Sequence, residues 1–298
     1  MTCIRQIGNV ADARRRPVLC MWPVLCALLG LLSGCASQGP AEPQLETARG
    51  LSPAEADARA EIVRRAPVAY LERVAANCRA LQQYTLHFTR HERRGLFRKL
   101  HGPEHIQCWF RRRPFSVRMK WLDPDVKYGE SVYVEGAAEN KVRFVTRWWS
   151  PPLVPPPGVN QVNLYTPVAF GEAKHPLTEF GLERLMERTL AELRAAGRDV
   201  VITYAGLEEL PPGGPRVHHI RLEYPAARYT TPVQELYCHA TTDLPAGTIL
   251  KFASGDIDAS YFYTDVDPHV RLTEHDFLLE AERATLRAEQ PPPAPARL

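Results

Sequence analysis

No G-x-S-x-G elbow, H-E-x-x-H pair, G-x-x-x-x-G-K phosphate loop or G-x-G-x-x-G turn occurs in the 298 residues. The chain therefore lacks the signatures of acyl transfer, zinc hydrolysis, nucleotide hydrolysis and hydride transfer, and we expect neither an enzyme nor a bound cofactor. No two of the seven cysteines stand as C-x-x-C, which removes zinc knuckles and thioredoxin-type redox motifs. Net positive charge is also missing beyond the N-terminus. Arg5, Arg14, Arg15 and Arg16 against Asp12 give residues 1–34 a balance of +3, so the remainder carries 33 basic and 33 acidic residues. An attraction to nucleic acid spread over the whole protein is not indicated. Repeats of the solenoid kind are absent as well.

The histidines and acids give no metal site by spacing. His218 and His219 are adjacent on a strand pattern and point to opposite faces, and His91-Glu92 lacks a second histidine. Asp256, Asp258, Asp265 and Asp267 are not spaced as a calcium loop and read as a solvated edge. His269, His275 and Asp276 have no acid/base partner nearby in sequence. Cys78, Cys108 and Cys238 read as buried small hydrophobes, with one disulfide plus an odd thiol as the alternative.

What the chain does have begins at its N-terminus. Arg14 to Arg16 precede an apolar run, Pro17 to Leu32, too short and too interrupted by proline to span a bilayer comfortably. The run ends in Leu32-Ser33-Gly34-Cys35, which resembles the lipobox of bacterial lipoproteins. That resemblance implies cleavage after residue 34, lipidation of Cys35 and attachment to a membrane. Each buried methylene adds about 0.8 kcal/mol, so two or more acyl chains anchor a protein stably. Ala36, where an aspartate would retain such a protein at the inner membrane, implies passage to the outer membrane, facing the periplasm. Residues 36–51 are small, polar and without apolar periodicity, a tether that reaches at most about 50 Å.

A folded domain is expected over 52–280, with a frayed proline-rich tail over 281–298. Ser52-Pro53-Ala54-Glu55 has capping-box spacing and starts a helix running to about Arg65. Pro67 starts a second, with Val68, Leu71, Val74, Ala75, Cys78 and Leu81 as its apolar stripe. Residues 84–92 alternate as a half-buried strand. Four more strands follow, at 104–112, 115–121, 131–136 and 141–147, each burying one face and leaving the other charged. The Arg111–Arg113 cluster reads as a solvated turn. Residues 148–157 are proline-rich and include Trp148, Trp149, Leu153 and Val154, a loop that either caps the core or forms a lid.

Thr178 is the expected N-cap of a helix carrying Leu182, Leu185, Met186, Leu190 and Leu193 and closed by Gly197. Strands return at 199–204, 217–224, 233–240, 248–252 and 258–266, followed by a short helical tail after Phe277.

The stretches YTLHFTRHER, RRPFSVRMKWLDPD, SVYVEG and YFYTDVDPHVRLTEHDF resemble a bacterial family known as domain of unknown function 1571. More distantly, the order helix, meander, helix, meander resembles the LolA/LolB lipoprotein-carrier fold. That resemblance implies an α+β fold: a curved antiparallel half-barrel of about ten strands wrapped around two or three helices and an acyl-chain cavity. It carries no functional residues over, and the proline loop departs from both patterns. The expectation is a lipid-anchored envelope protein binding an acyl chain, a lipoprotein or another apolar ligand. Phe110, Val117, Met119 and Trp121 are its candidate ligand contacts. A non-enzymatic structural or interaction lipoprotein with a plugged core is the alternative.

Overall fold

In the computed structural model, residues 52–95, 97–148 and 157–289 are described, all within one compact unit. The lipobox with Cys35, the tether, residues 149–156 of the proline loop, with Trp149, Leu153 and Val154, and the tail from 290 onward lie outside them.

Helix α1 (Pro53–Arg65) begins with the capping box that the sequence predicts: Ser52 Oγ accepts the Glu55 N–H at 3.3 Å, and the Glu55 carboxylate accepts the Ser52 N–H at 2.8 Å. Helix α2 (Pro67–Ala80) buries Tyr70, Leu71, Val74, Ala75 and Cys78. Val68, placed on that stripe by its spacing, is exposed at the helix start.

Six strands follow as a meander: β1 (Gln83–Arg94), β2 (Lys99–Arg111), β3 (Ser116–Trp121), β4 (Tyr128–Val134), β5 (Lys141–Thr146) and β6 (Gly158–Asn163). A short helix α3 (Thr166–Ala169) leads to α4 (Leu182–Ala196). A second meander then runs through β7 (Val201–Glu209), β8 (Arg216–Glu223), β9 (Val233–His239), β10 (Pro245–Lys251) and β11 (Ile257–Asp267), and α5 (Glu280–Glu289) comes last. Pairing of β11 with β1 joins the halves into one open, curved antiparallel sheet, β6-β5-β4-β3-β2-β1-β11-β10-β9-β8-β7. The strand beyond the ten expected is β6, whose sequence GVNQVN is too polar to show a buried face.

The two long helices pack on one face of this sheet. Leu71 and Val74 of α2 and Leu182, Met186 and Leu190 of α4 share a core with Leu86, Ile106, Val117, Leu222 and Leu236 of the strands. Each such side chain stabilises the fold by roughly 1.5–3 kcal/mol on burial. Thr178 is not the N-cap of α4; it lies in a 3₁₀ turn, and Gly181 holds the cap position. The first turn of α4 faces the sheet, and the Leu182 N–H finds its acceptor across the core rather than in the local chain.

The opposite face of the sheet, expected to remain charged in solvent, is partly covered. Phe277 and Leu279 pack on Val132 and Trp109, and α5 follows beside them. Beneath that segment Arg118 is only 2% exposed. Its guanidinium lies 4.2 Å from the Trp109 ring, and its Nε donates to Glu130 at 2.6 Å. Asp258, expected on a solvated edge, is buried because β11 is a central strand. It accepts from Lys174 at 2.5 Å and from Arg98 at 3.3 Å. Cys78, Cys108 and Cys238 are buried free thiols.

Candidate functional site

Strand alternation puts Tyr84, Leu86 and Phe88 of β1 toward the helices. The same alternation continues through Arg90 and Glu92. On β2 it carries Glu104, Ile106, Cys108 and Phe110 inward, and on β3 Val117, Met119 and Trp121. Past the ends of α2 and α4 this inner face is not filled by helix. The chain from 164 to 181 arches over it, leaving a cavity of about 480 Å³. Its floor is largely apolar, with Phe88, Met119, Trp121, Val142, Phe144 and Tyr263. Phe170 and Phe180 belong to its roof, and Phe180 meets Phe88 edge to face at 5.4 Å.

One end of the floor is ionic. Arg90 Nη2 donates to Glu104 Oε2 at 2.6 Å, and Arg94 pairs with Glu104 Oε1. Trp121 Nε1 donates to Glu104 Oε2 at 2.9 Å, and the Tyr261 hydroxyl donates to Glu92 Oε1 at 2.5 Å. Burial alone would raise the Glu104 carboxyl, but Arg90 and Arg94 outweigh it and hold it down at about 2. Burial also pushes the Tyr261 hydroxyl well above its usual value, with the Glu92 carboxylate adding to the effect. Above them, His175 Nδ1 and Arg188 Nη1 meet Glu179 Oε2 at 3.2 and 3.0 Å. Burial pushes the His175 imidazole down, and Arg188 reinforces it.

The four apolar candidates are not gathered in one place. Met119 and Trp121 line the cavity. Phe110 lies under the start of α4 and lines a second, more polar pocket with Arg112, Arg113 and Glu183. Val117 is buried between them and lines neither. The residues that sequence reasoning passed over are Arg90, Glu92 and Glu104. Their signal was present, because charges stood at positions whose period placed them inward. Among the described residues, no three His, Cys, Asp or Glu side chains are grouped as a metal ion requires.

No curated protein matches the chain. Among solved structures, MucB is similar at 14% identity over 72% of this chain, with a TM-score of 0.45, and this chain spans 62% of the MucB chain. The lipoprotein LppX of Mycobacterium tuberculosis is similar at 9% identity over 70% of this chain and 99% of its own, with a TM-score of 0.41. A LolA superfamily protein from Nitrosomonas europaea is similar at 8% identity over 72% of this chain and 97% of its own, with a TM-score of 0.33. None of these likenesses carries a residue or a ligand over to this chain. The sequence match is of a different kind: residues 81–285 fit the model of a family described as a protein of unknown function, DUF1571. With more than half of its length inside that match, the chain belongs to the DUF1571 family.

Proposed function

We propose that this is an envelope lipoprotein, held on the outer membrane through an acylated Cys35, whose half-barrel binds or hands on an acyl chain or another apolar ligand in the periplasm. The observation that carries the reading is the cavity of about 480 Å³ between the sheet and the 164–181 arch, walled by Phe88, Met119, Trp121 and Phe144. Small-molecule sites occupy about 300–1,000 Å³ and are mostly apolar with a few fixed polar groups. This cavity has both properties. Its role is binding rather than catalysis, and neither a cofactor nor nucleic acid enters it.

Organic extraction of the purified chain followed by mass spectrometry is expected to release a lipid. Met119→Trp, which fills the floor, is expected to abolish that recovery while the protein stays folded. Equal recovery from both proteins would overturn the reading. So would an absence of co-purifying lipid together with failure to bind any long-chain probe, and the second result would favour a structural lipoprotein. That second reading has its own support in the packing of α2 and α4 on the same face. Labelled fatty acid incorporated equally into the wild type and Cys35→Ala would sink the anchor.

A further inference from the structure

The cavity has a direction. Its floor runs across the sheet from Tyr261 on β11, over Arg90 and Glu92 on β1 and Met119 on β3, to Phe144 on β5 and Val162 on β6. That is six inter-strand steps, or about 29 Å along the sheet at about 4.8 Å per step. A groove of this length suits a chain better than a compact ring. The β11–β1 end carries the charges. The β5–β6 end is walled by Val142, Phe144 and Val162, with Asn160 and Gln161 as its polar residues.

Three atoms at the charged end lack hydrogen-bond partners among the described residues: Glu92 Oε2, an acceptor, and Arg90 Nε and Arg94 Nε, both donors; of these residues Glu92 and Arg90 line the cavity. Glu92 Oε2 stands 3.8 Å from Arg90 Nη1, beyond hydrogen-bond reach. The Glu92 and Arg90 side chains are 5% and 11% exposed, so solvent does not readily serve them. Buried polar groups in native proteins are nearly always satisfied. Ser131 Oγ on β4 is also unpartnered but stands alone, farther along the groove. The charges around the pair balance, with Arg90, Arg94, Lys127 and Arg188 against Glu92, Glu104, Glu172 and Glu179. An anionic head group would meet the bare Glu92 oxygen, and a cationic one would meet Arg90.

We infer that the ligand is a single-chain amphiphile with an uncharged hydroxyl or amide head. The head gives an O–H or N–H to Glu92 Oε2 and accepts from Arg90 Nε, while the acyl tail runs toward β5 and β6. This deepens the acyl-chain reading and rests on it.

The test uses the full chain carrying Cys35→Ala, so that no acyl group of its own competes for the cavity. Displacement of a fluorescent fatty-acyl probe is measured with palmitate, 1-monopalmitoylglycerol and palmitoylethanolamide at neutral pH. Both uncharged amphiphiles are expected to bind about tenfold more tightly than palmitate, the scale of one well-placed hydrogen bond to a charged group. Glu92→Gln, which removes the negative charge, is expected to bring palmitate to within about threefold of them. The wild-type ranking decides the matter even if the variant does not fold. Palmitate binding as tightly as the uncharged pair would overturn the head-group assignment and leave the acyl-chain reading standing. If the fluorescent probe and all three ligands fail to bind, both readings fall. Selectivity for only one of the two uncharged heads supports the assignment and tells hydroxyl from amide.

Discussion

The hydroxyl of Tyr84, on β1 at the middle of the sheet, accepts the backbone N–H of Leu182 at 3.1 Å and thereby caps the first turn of α4 from across the core. The Tyr84 ring stacks on Phe110 at 4.6 Å, so Tyr84→Phe keeps the packing and removes only the acceptor. A buried donor left unsatisfied costs about 1–3 kcal/mol. Urea unfolding should show a lower midpoint of that size at unchanged slope.

Gly181 makes that cap possible. Its φ is +124° and its ψ 157°, a region open to glycine and costly to other residues. A Cβ there would stand 3.0 Å from the Tyr84 hydroxyl and 3.2 Å from the Phe110 ring. Gly181→Ala is expected to lose about 1–3 kcal/mol from backbone strain alone. Combined with Tyr84→Phe it should cost less than the sum, because the hydroxyl that the Cβ crowds is then absent. Simple additivity in urea titrations of the single and double variants would contradict this coupling.

On the outer face, Arg118 is held between Trp109 and Glu130 beneath the C-terminal segment. Removing one member of a buried ion pair costs about 3–5 kcal/mol, whereas replacing both with apolar residues of similar volume is often close to neutral. Arg118→Ala is therefore expected to lose several kcal/mol, and Arg118→Met with Glu130→Leu far less. Thermal melts of the two proteins check the ranking.

The meanders and the apolar stripes of α2 and α4 could be read in the sequence because each element buries one face with its own period. Local chemistry also fixed the start of α1, whose cap lies within four residues. It could not fix the start of α4, where Thr178 has the right chemistry but the acceptor used is Tyr84, 98 residues earlier. Burial of Arg118 was likewise hidden, because it depends on a segment some 160 residues downstream returning to the sheet. Met119 and Trp121 could be placed on the correct face by alternation. The cavity itself could not, since its roof is an irregular stretch whose path follows no period.

Acid should unfold the protein partly through Glu104. Its carboxyl is held at about 2 in the folded protein, below the ordinary carboxylate value. A depressed folded value contributes stability above the unfolded pKa and loses it as pH falls toward the folded one. The shift corresponds to about 3 kcal/mol, lost between about pH 5 and pH 2. The stability gap between wild type and Glu104→Gln should therefore be constant above pH 5 and narrow progressively below it. A gap that stays constant down to pH 3 would show that Arg90 and Arg94 do not hold the charge in place.

His218 should act in a separate, higher window. It is buried on β8, with the Tyr204 hydroxyl 3.0 Å from its Nδ1 and the Tyr70 ring edge-on at 5.4 Å. Burial pushes its imidazole down to about 4, and Arg59, Arg73 and Arg216 reinforce the effect. The folded state thus prefers the neutral ring. Its contribution is complete above the unfolded value of about 6.5 and is lost as pH falls through about 4, by about 3 kcal/mol in all. Gln in its place does not titrate, so the stability of His218→Gln should decline less steeply than the wild type from pH 6.5 to 5, the remaining slope coming from His175 and His239, which burial also pushes down. Below pH 4 both proteins should fall together, because the Glu104 window is untouched. Urea midpoints at half-unit pH intervals separate the two windows, and an unchanged slope between pH 6.5 and 5 in the variant would remove His218 from the account.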